Sequence, residues 1–166
     1  MNRFGEPAPA GKRGKLGTTL VVMASLAASL VAATPAQASG AMGGSEKLRR
    51  LDIMLMVTGL RCRTTESNFT ADFAAFEAAH MADLNAASTA IRDSMVPRFG
   101  ISGANRALDR ISTSMANQYG QGHPWLNCGQ LKQVASTLVE MRGLQPLVEA
   151  ANDLLDDGAH QMAWLR

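Results

Sequence analysis

Eight side chains spaced for one face of a long helix constrain this chain more than any other feature. Phe69, Phe73, Phe76, His80, Leu84, Ala87, Ile91 and Met95 recur at steps of four, three, four, four, three, four and four, which returns each to the same side of a helical turn. Alanines fill the flanks and favour helix intrinsically. Ser67 or Asn68 can cap the start, and Pro97 and Gly100 mark the end. About 28 residues at 1.5 Å each make a rod of about 40 Å, and its apolar stripe must be covered by other elements along that length. No stretch of the chain alternates apolar and polar residues for long enough to read as a strand. The covering elements are therefore helices.

The sequence supplies them. Ser45 reads as an N-cap before Glu46, opening a helix to about Leu60. The middle of that helix, Ile53-Met54-Leu55-Met56-Val57, is apolar all round, so neighbours must cover it on several sides. A third helix is expected from Ala104 to Tyr119, with Leu108, Ile111, Met115 and Tyr119 inward. Residues 120–125 form a loop by composition, and Asn127 caps a fourth helix through Arg142 that turns Leu131, Val134, Leu138 and Met141 inward. Gly143 ends it, and Pro146 suits the first turn of a fifth helix, which carries Leu147, Val148, Ala151, Leu154 and Leu155 towards Gly158. The tail from Ala159 to Arg166 can add a short helix with Met162, Trp164 and Leu165. The expected fold class is all-α, an up-and-down bundle of four to five helices.

Two cysteines tie this reading together. Cys62 falls at the end of the first helix and Cys128 at the start of the fourth. A disulfide between them makes those helices antiparallel, as up-and-down connection also does. The alternative is two buried free thiols. The N-terminus points to an oxidising destination, where a disulfide is useful. Lys12, Arg13 and Lys15 precede a charge-free run from Leu16 to Ala33, and Ala36-Gln37-Ala38 follows as a small-x-small triplet. That order is the signature of a cleaved secretory signal over residues 1–38. The rival reading is a retained anchor, but Thr18, Thr19, Ser25 and Ser29 dilute the run. Both cysteines lie far downstream, so no lipobox is present. Residues 39–44, rich in glycine, read as a disordered linker, and residues 45–166 as the helical domain.

Removing the leader changes the electrostatics. Four of the 16 basic residues and one of the 14 acids leave with it, so 12 bases face 13 acids in the remainder. A near-neutral domain without a basic stripe has no footprint for nucleic acid. Any membrane association is expected only through an uncleaved signal.

Few groups point to chemistry. Glu77 and His80 form Glu-x-x-His on the long helix, the spacing that aims a carboxylate and an imidazole at one metal in carboxylate-bridged bundles. Asp157 and His160 repeat it with an aspartate, while Glu46 and Glu140 are the other acids that a di-metal site could draw on. The simpler reading places His80 in the core with its ring nitrogens satisfied locally. His123 lies in the glycine loop beside Pro124 and Trp125. It lines a small pocket near Cys128, or else is solvated while Trp125 covers the core. There is no nucleophile elbow, Walker A loop, dinucleotide fingerprint or His-Glu-x-x-His. No catalytic residue and no cofactor are expected. Asn68-Phe69-Thr70 matches a glycosylation sequon, a chance match in a bacterial-type chain. Of eight methionines beyond the leader, Met56 and Met81 are the two whose exposure would matter, because exposed methionines adapt to varied partners.

Gly59-Leu60-Arg61-Cys62-Arg63-Thr64, followed by the phenylalanine stripe, resembles small exported proteobacterial proteins of no established activity over residues 45–130. The resemblance implies an exported helical domain with one cysteine pair. Three functional readings follow from the sequence. The first is a non-enzymatic periplasmic or secreted protein that binds a protein partner, an unfolded client or a small apolar ligand. The second is a metal-binding bundle using Glu77 and His80. The third is an oligomeric envelope structural protein presenting the long helix.

Overall fold

The computed structural model describes residues 35–155, with side chains from Met42 onward. Four helices make up this part of the chain: α1 (Pro35–Cys62), α2 (Thr70–Gln118), α3 (Cys128–Glu140) and α4 (Leu144–Leu155). Among the described residues there is no strand. The all-helical expectation holds.

α2 is two rods joined at one residue. Gly100 sits inside it with φ 65° and ψ 171°, a conformation that only glycine adopts without strain. Pro97, three residues earlier, already lacks the N–H that the ladder needs. The chain therefore reverses between an arm at 70–99 and an arm at 101–118. Their directions follow from contacts to α1. A Cβ on Gly59 would lie 3.4 Å from the Phe69 ring, and Asp52 faces Glu77 one level further along, so the first arm runs antiparallel to α1. Arg49 reaches Ser112 at 3.3 Å and Arg61 donates to the Gly120 carbonyl at 3.0 Å, so the second arm runs parallel to it.

α3 descends from the disulfide, with Ser136 bonded to Asp72 and Leu138 to His80. α4 climbs back along α1, where Lys47 donates to Asn152. The topology is up-down-up-down-up, and α1 touches every other helix. That centrality is what its all-round apolar middle requires. Leu48, Leu51, Met54 and Leu55 are fully buried, with Phe69, Phe76, Leu131, Leu138 and Leu147 packed around them.

The local signals explain where the helices start and stop. Asn127 accepts from the Gln130 N–H while the Gln130 side chain accepts from the Asn127 N–H, a complete capping box on α3. Asn68 accepts the Thr70 N–H at 3.0 Å and its hydroxyl at 2.9 Å, which satisfies one orphan donor at the start of α2. Thr65 closes α1 by donating its N–H and its hydroxyl to the Cys62 carbonyl.

α1 differs from expectation at its start. It begins at Pro35 and runs through residues 39–44, so the glycine-rich stretch is helical and Ser45 is inside the helix rather than capping it. Proline suits a first turn. Gly44 faces α4, where a Cβ would make an ordinary van der Waals contact with Val148 Cγ2 at 3.5 Å, while nothing lies within 4 Å of one on Gly43. Packing outweighs the intrinsic cost of glycine in a helix, about 1 kcal/mol per residue.

Cys62 and Cys128 are disulfide-bonded with Cα atoms 5.7 Å apart, and no free cysteine is left. The bridge is compatible with an oxidising compartment. Residues 1–34, which hold most of the expected secretory leader, lie outside the described residues, as do Asp157, His160 and the tail helix expected after Ala159. No helix among the described residues is long and apolar enough to cross a membrane.

Candidate functional site

A cleft opens where α1 meets the first arm of α2. Its walls are Arg49 and Asp52 from α1 and Glu77, Met81, Leu84, Asn85 and Ser88 from α2, enclosing about 340 Å³. Residues three and four apart share a helix face, so Arg49 and Asp52 project together. Glu77, Met81, Leu84, Asn85 and Ser88 do so across from them.

The polar groups in the cleft are in tension. Arg49 Nη1 donates to Asp52 Oδ2 at 3.0 Å, and their side chains are only 28% and 12% exposed. Arg49 Nη2 donates to Ser112 on the second arm. Its Nε is buried without any partner, which leaves one desolvated donor at the cleft wall, a costly arrangement in a folded protein. Burial raises the Asp52 carboxyl above its usual range, and the nearby Glu77 charge adds to this, while Arg49 opposes it. An aspartate taken from water and set near a second carboxylate destabilises the fold at neutral pH. Residues held at such a cost cluster at functional sites.

Met81 forms the apolar side of the cleft and is 59% exposed, while Met56, one turn from Asp52, is 39% exposed. These are the two methionines whose exposure the sequence made significant. Leu60, a further turn along, is 54% exposed. The same side of α1 thus passes from charged to apolar over three turns.

Glu77 and His80 do not act together here. His80 is buried in the core, where its Nε2 donates to the Leu138 carbonyl at 2.7 Å and its ring tilts against Phe76 at 5.2 Å between centroids. Glu77 is exposed and faces Asp52. Among the described residues no three His, Cys, Asp or Glu side chains converge as a metal site would need.

His123 is half-buried at the disulfide pole and both of its nitrogens are engaged. Nε2 donates to the Leu154 carbonyl at 3.1 Å, while Nδ1 accepts from the Leu126 N–H at 3.2 Å. Its ring stacks on Tyr119 and meets Trp125 edge-on. Burial lowers its pKa from the ordinary histidine value. His123 lines a cavity of about 250 Å³ with Arg61, Leu126 and the disulfide. Its bonds tie the 120–127 loop to the last turn of α4, which is a structural task.

Sequence reasoning singled out Glu77 and Met81 and missed Arg49, Asp52, Asn85 and Ser88. A signal for Asp52 was present: it is the one charged residue within the run Leu51–Val57. No family model, curated protein or solved structure matches this chain.

Proposed function

We propose that this chain is a non-enzymatic binding protein of the bacterial envelope, periplasmic or secreted, that holds a small amphipathic molecule in the cleft between α1 and α2. The carrying observation is the buried, unpartnered Arg49 Nε beside a desolvated Asp52 in a cleft of about 340 Å³. Turning the Arg49 side chain so that Nε meets a ligand acceptor in the cleft would remove a desolvation cost of about 1–3 kcal/mol. Asn85 and Ser88 offer neutral hydrogen bonds to the same head group, and Met81 and Leu84 offer apolar surface to its tail. Small-ligand sites combine apolar walls with a few convergent polar groups in this way. Export rests on the leader at residues 1–38, and the Cys62–Cys128 bridge agrees with it.

The test is native mass spectrometry of oxidised protein purified from its own envelope fraction, followed by thermal-shift screening of what it releases. A small molecule should co-purify and, at about a hundred times its Kd, stabilise the fold by about 2.7 kcal/mol. Arg49→Gln should abolish that stabilisation. If nothing co-purifies and no amphipathic compound shifts the melting transition, the reading is wrong.

A further inference from the structure

We infer that the apex of α2 docks on the surface of an anionic lipid bilayer. At this turn Pro97, Arg98, Phe99, Gly100, Ile101 and Ser102 are all exposed. Ile101 is 72% exposed and Phe99 44%, the former the most exposed large apolar side chain among the described residues. Single exposed apolar residues are ordinary on a surface, but two flanking one reversal at the tip of a helical hairpin form a convex wedge. A convex apolar tip buries itself best in a medium that deforms around it.

The charge around the wedge selects the lipid. From Ser94 to Leu108 the chain carries Arg98 and Arg106 and no acid. The Arg98 guanidinium lies over the Phe99 ring, 5.0 Å from its centroid, which holds a cation at the level where lipid phosphates would sit. The nearest acid before the apex, Asp93, is paired with Arg92 at 2.6 Å. Beyond Arg98 and Arg106, residues 39–166 carry 10 bases and 13 acids, so this local excess of positive charge is not a property of the whole surface. Gly100 holds the reversal with nothing within 4 Å of where a Cβ would stand, so the backbone at the tip is free to approach head groups. Two side chains bury less than one myristoyl chain, whose affinity is only about 10⁴ M⁻¹. Half-maximal docking is expected at millimolar lipid.

The leader contains its own apolar run, so the experiment must read the apex itself. Phe99 is left intact because it packs on Gly103. In the full chain, a bimane is attached through Ile101→Cys and, separately, through Ser114→Cys, about 20 Å up the second arm. Vesicles contain brominated phosphatidylglycerol and phosphatidylcholine. The probe at position 101 should be quenched and the probe at 114 should not. Arg98→Glu with Arg106→Glu should weaken the quenching about tenfold or more. Three results would overturn the inference: vesicles bound with no quenching at 101, equal quenching by pure phosphatidylcholine, or a lipid-free change at 101 that grows with protein concentration. The last would mean that a second copy covers the apex.

Discussion

Breaking the Cys62–Cys128 bridge should cost this domain a large part of its stability, and the structure sets the size of the loss. The cysteines are 66 residues apart, so in the unfolded chain the bond closes a ring containing both arms of α2. In the chain-entropy account, opening a ring of that length releases about 4 kcal/mol of conformational freedom at 25 °C. Domains of this size are stable by only about 5–15 kcal/mol. With a urea dependence of about 2 kcal/mol per molar, the double variant Cys62→Ala/Cys128→Ala should unfold at a midpoint about 2 M lower. The assay is urea unfolding followed by circular dichroism, run beside the native protein with and without dithiothreitol. Cys62 is buried, 3% exposed, so the alanine variant should lie slightly below the reduced native protein. If the oxidised and reduced midpoints agree to within about 0.5 M, the ends must already stay together in the unfolded chain, and the entropic reasoning fails.

Other outcomes follow from single groups. The folded His123 pKa is lowered, so the unfolded chain binds more protons just below the ordinary value of about 6.5. Its contribution is complete above that pH and is lost as the pH falls towards the folded pKa, and urea midpoints of His123→Phe should depend less on pH across that window. Asp52 has the opposite sign: its raised pKa means that stability declines as pH rises above 3.8. Asp52→Asn should therefore be at least as stable as the native protein at pH 7 in thermal unfolding. Asn127→Ala removes the side-chain half of the capping box, the bond accepted from the Gln130 N–H, and should cost about 1 kcal/mol in urea unfolding. Gly100→Ala meets no atom but must adopt φ 65°, so it should cost about 1–3 kcal/mol by the same measurement.

The parts of this fold legible in the sequence are those governed by local rules. The stripe from Phe69 to Met95 is inward along its length, with Phe73 and Met95 half-buried and the other six buried. Asn127 caps α3, and Pro97 with Gly100 breaks the long helix, because each acts through its own backbone. The start of α1 was illegible because it depends on contact with α4, and residues 39–44 advertise only their flexibility. Glu77 and His80 show why spacing alone misleads. Three residues turn a helix through about 300°, so the two side chains point about 60° apart. At the edge of a buried stripe that is enough to send one into the core and the other to the cleft. Asp52 was hidden by its neighbours, since an apolar run reads as core unless its lone charge is asked where it goes.

The contact between Gly44 and Val148 has a consequence for where this domain can be trimmed. A fragment opening at Ser45 would expose the flank of α4 that the preceding turn of α1 now shields, and α4, unlike α1 and α3, carries neither cysteine of the bridge. Partial unfolding in such a fragment would start from its C-terminal helix, although the cut was made at the opposite end of the chain.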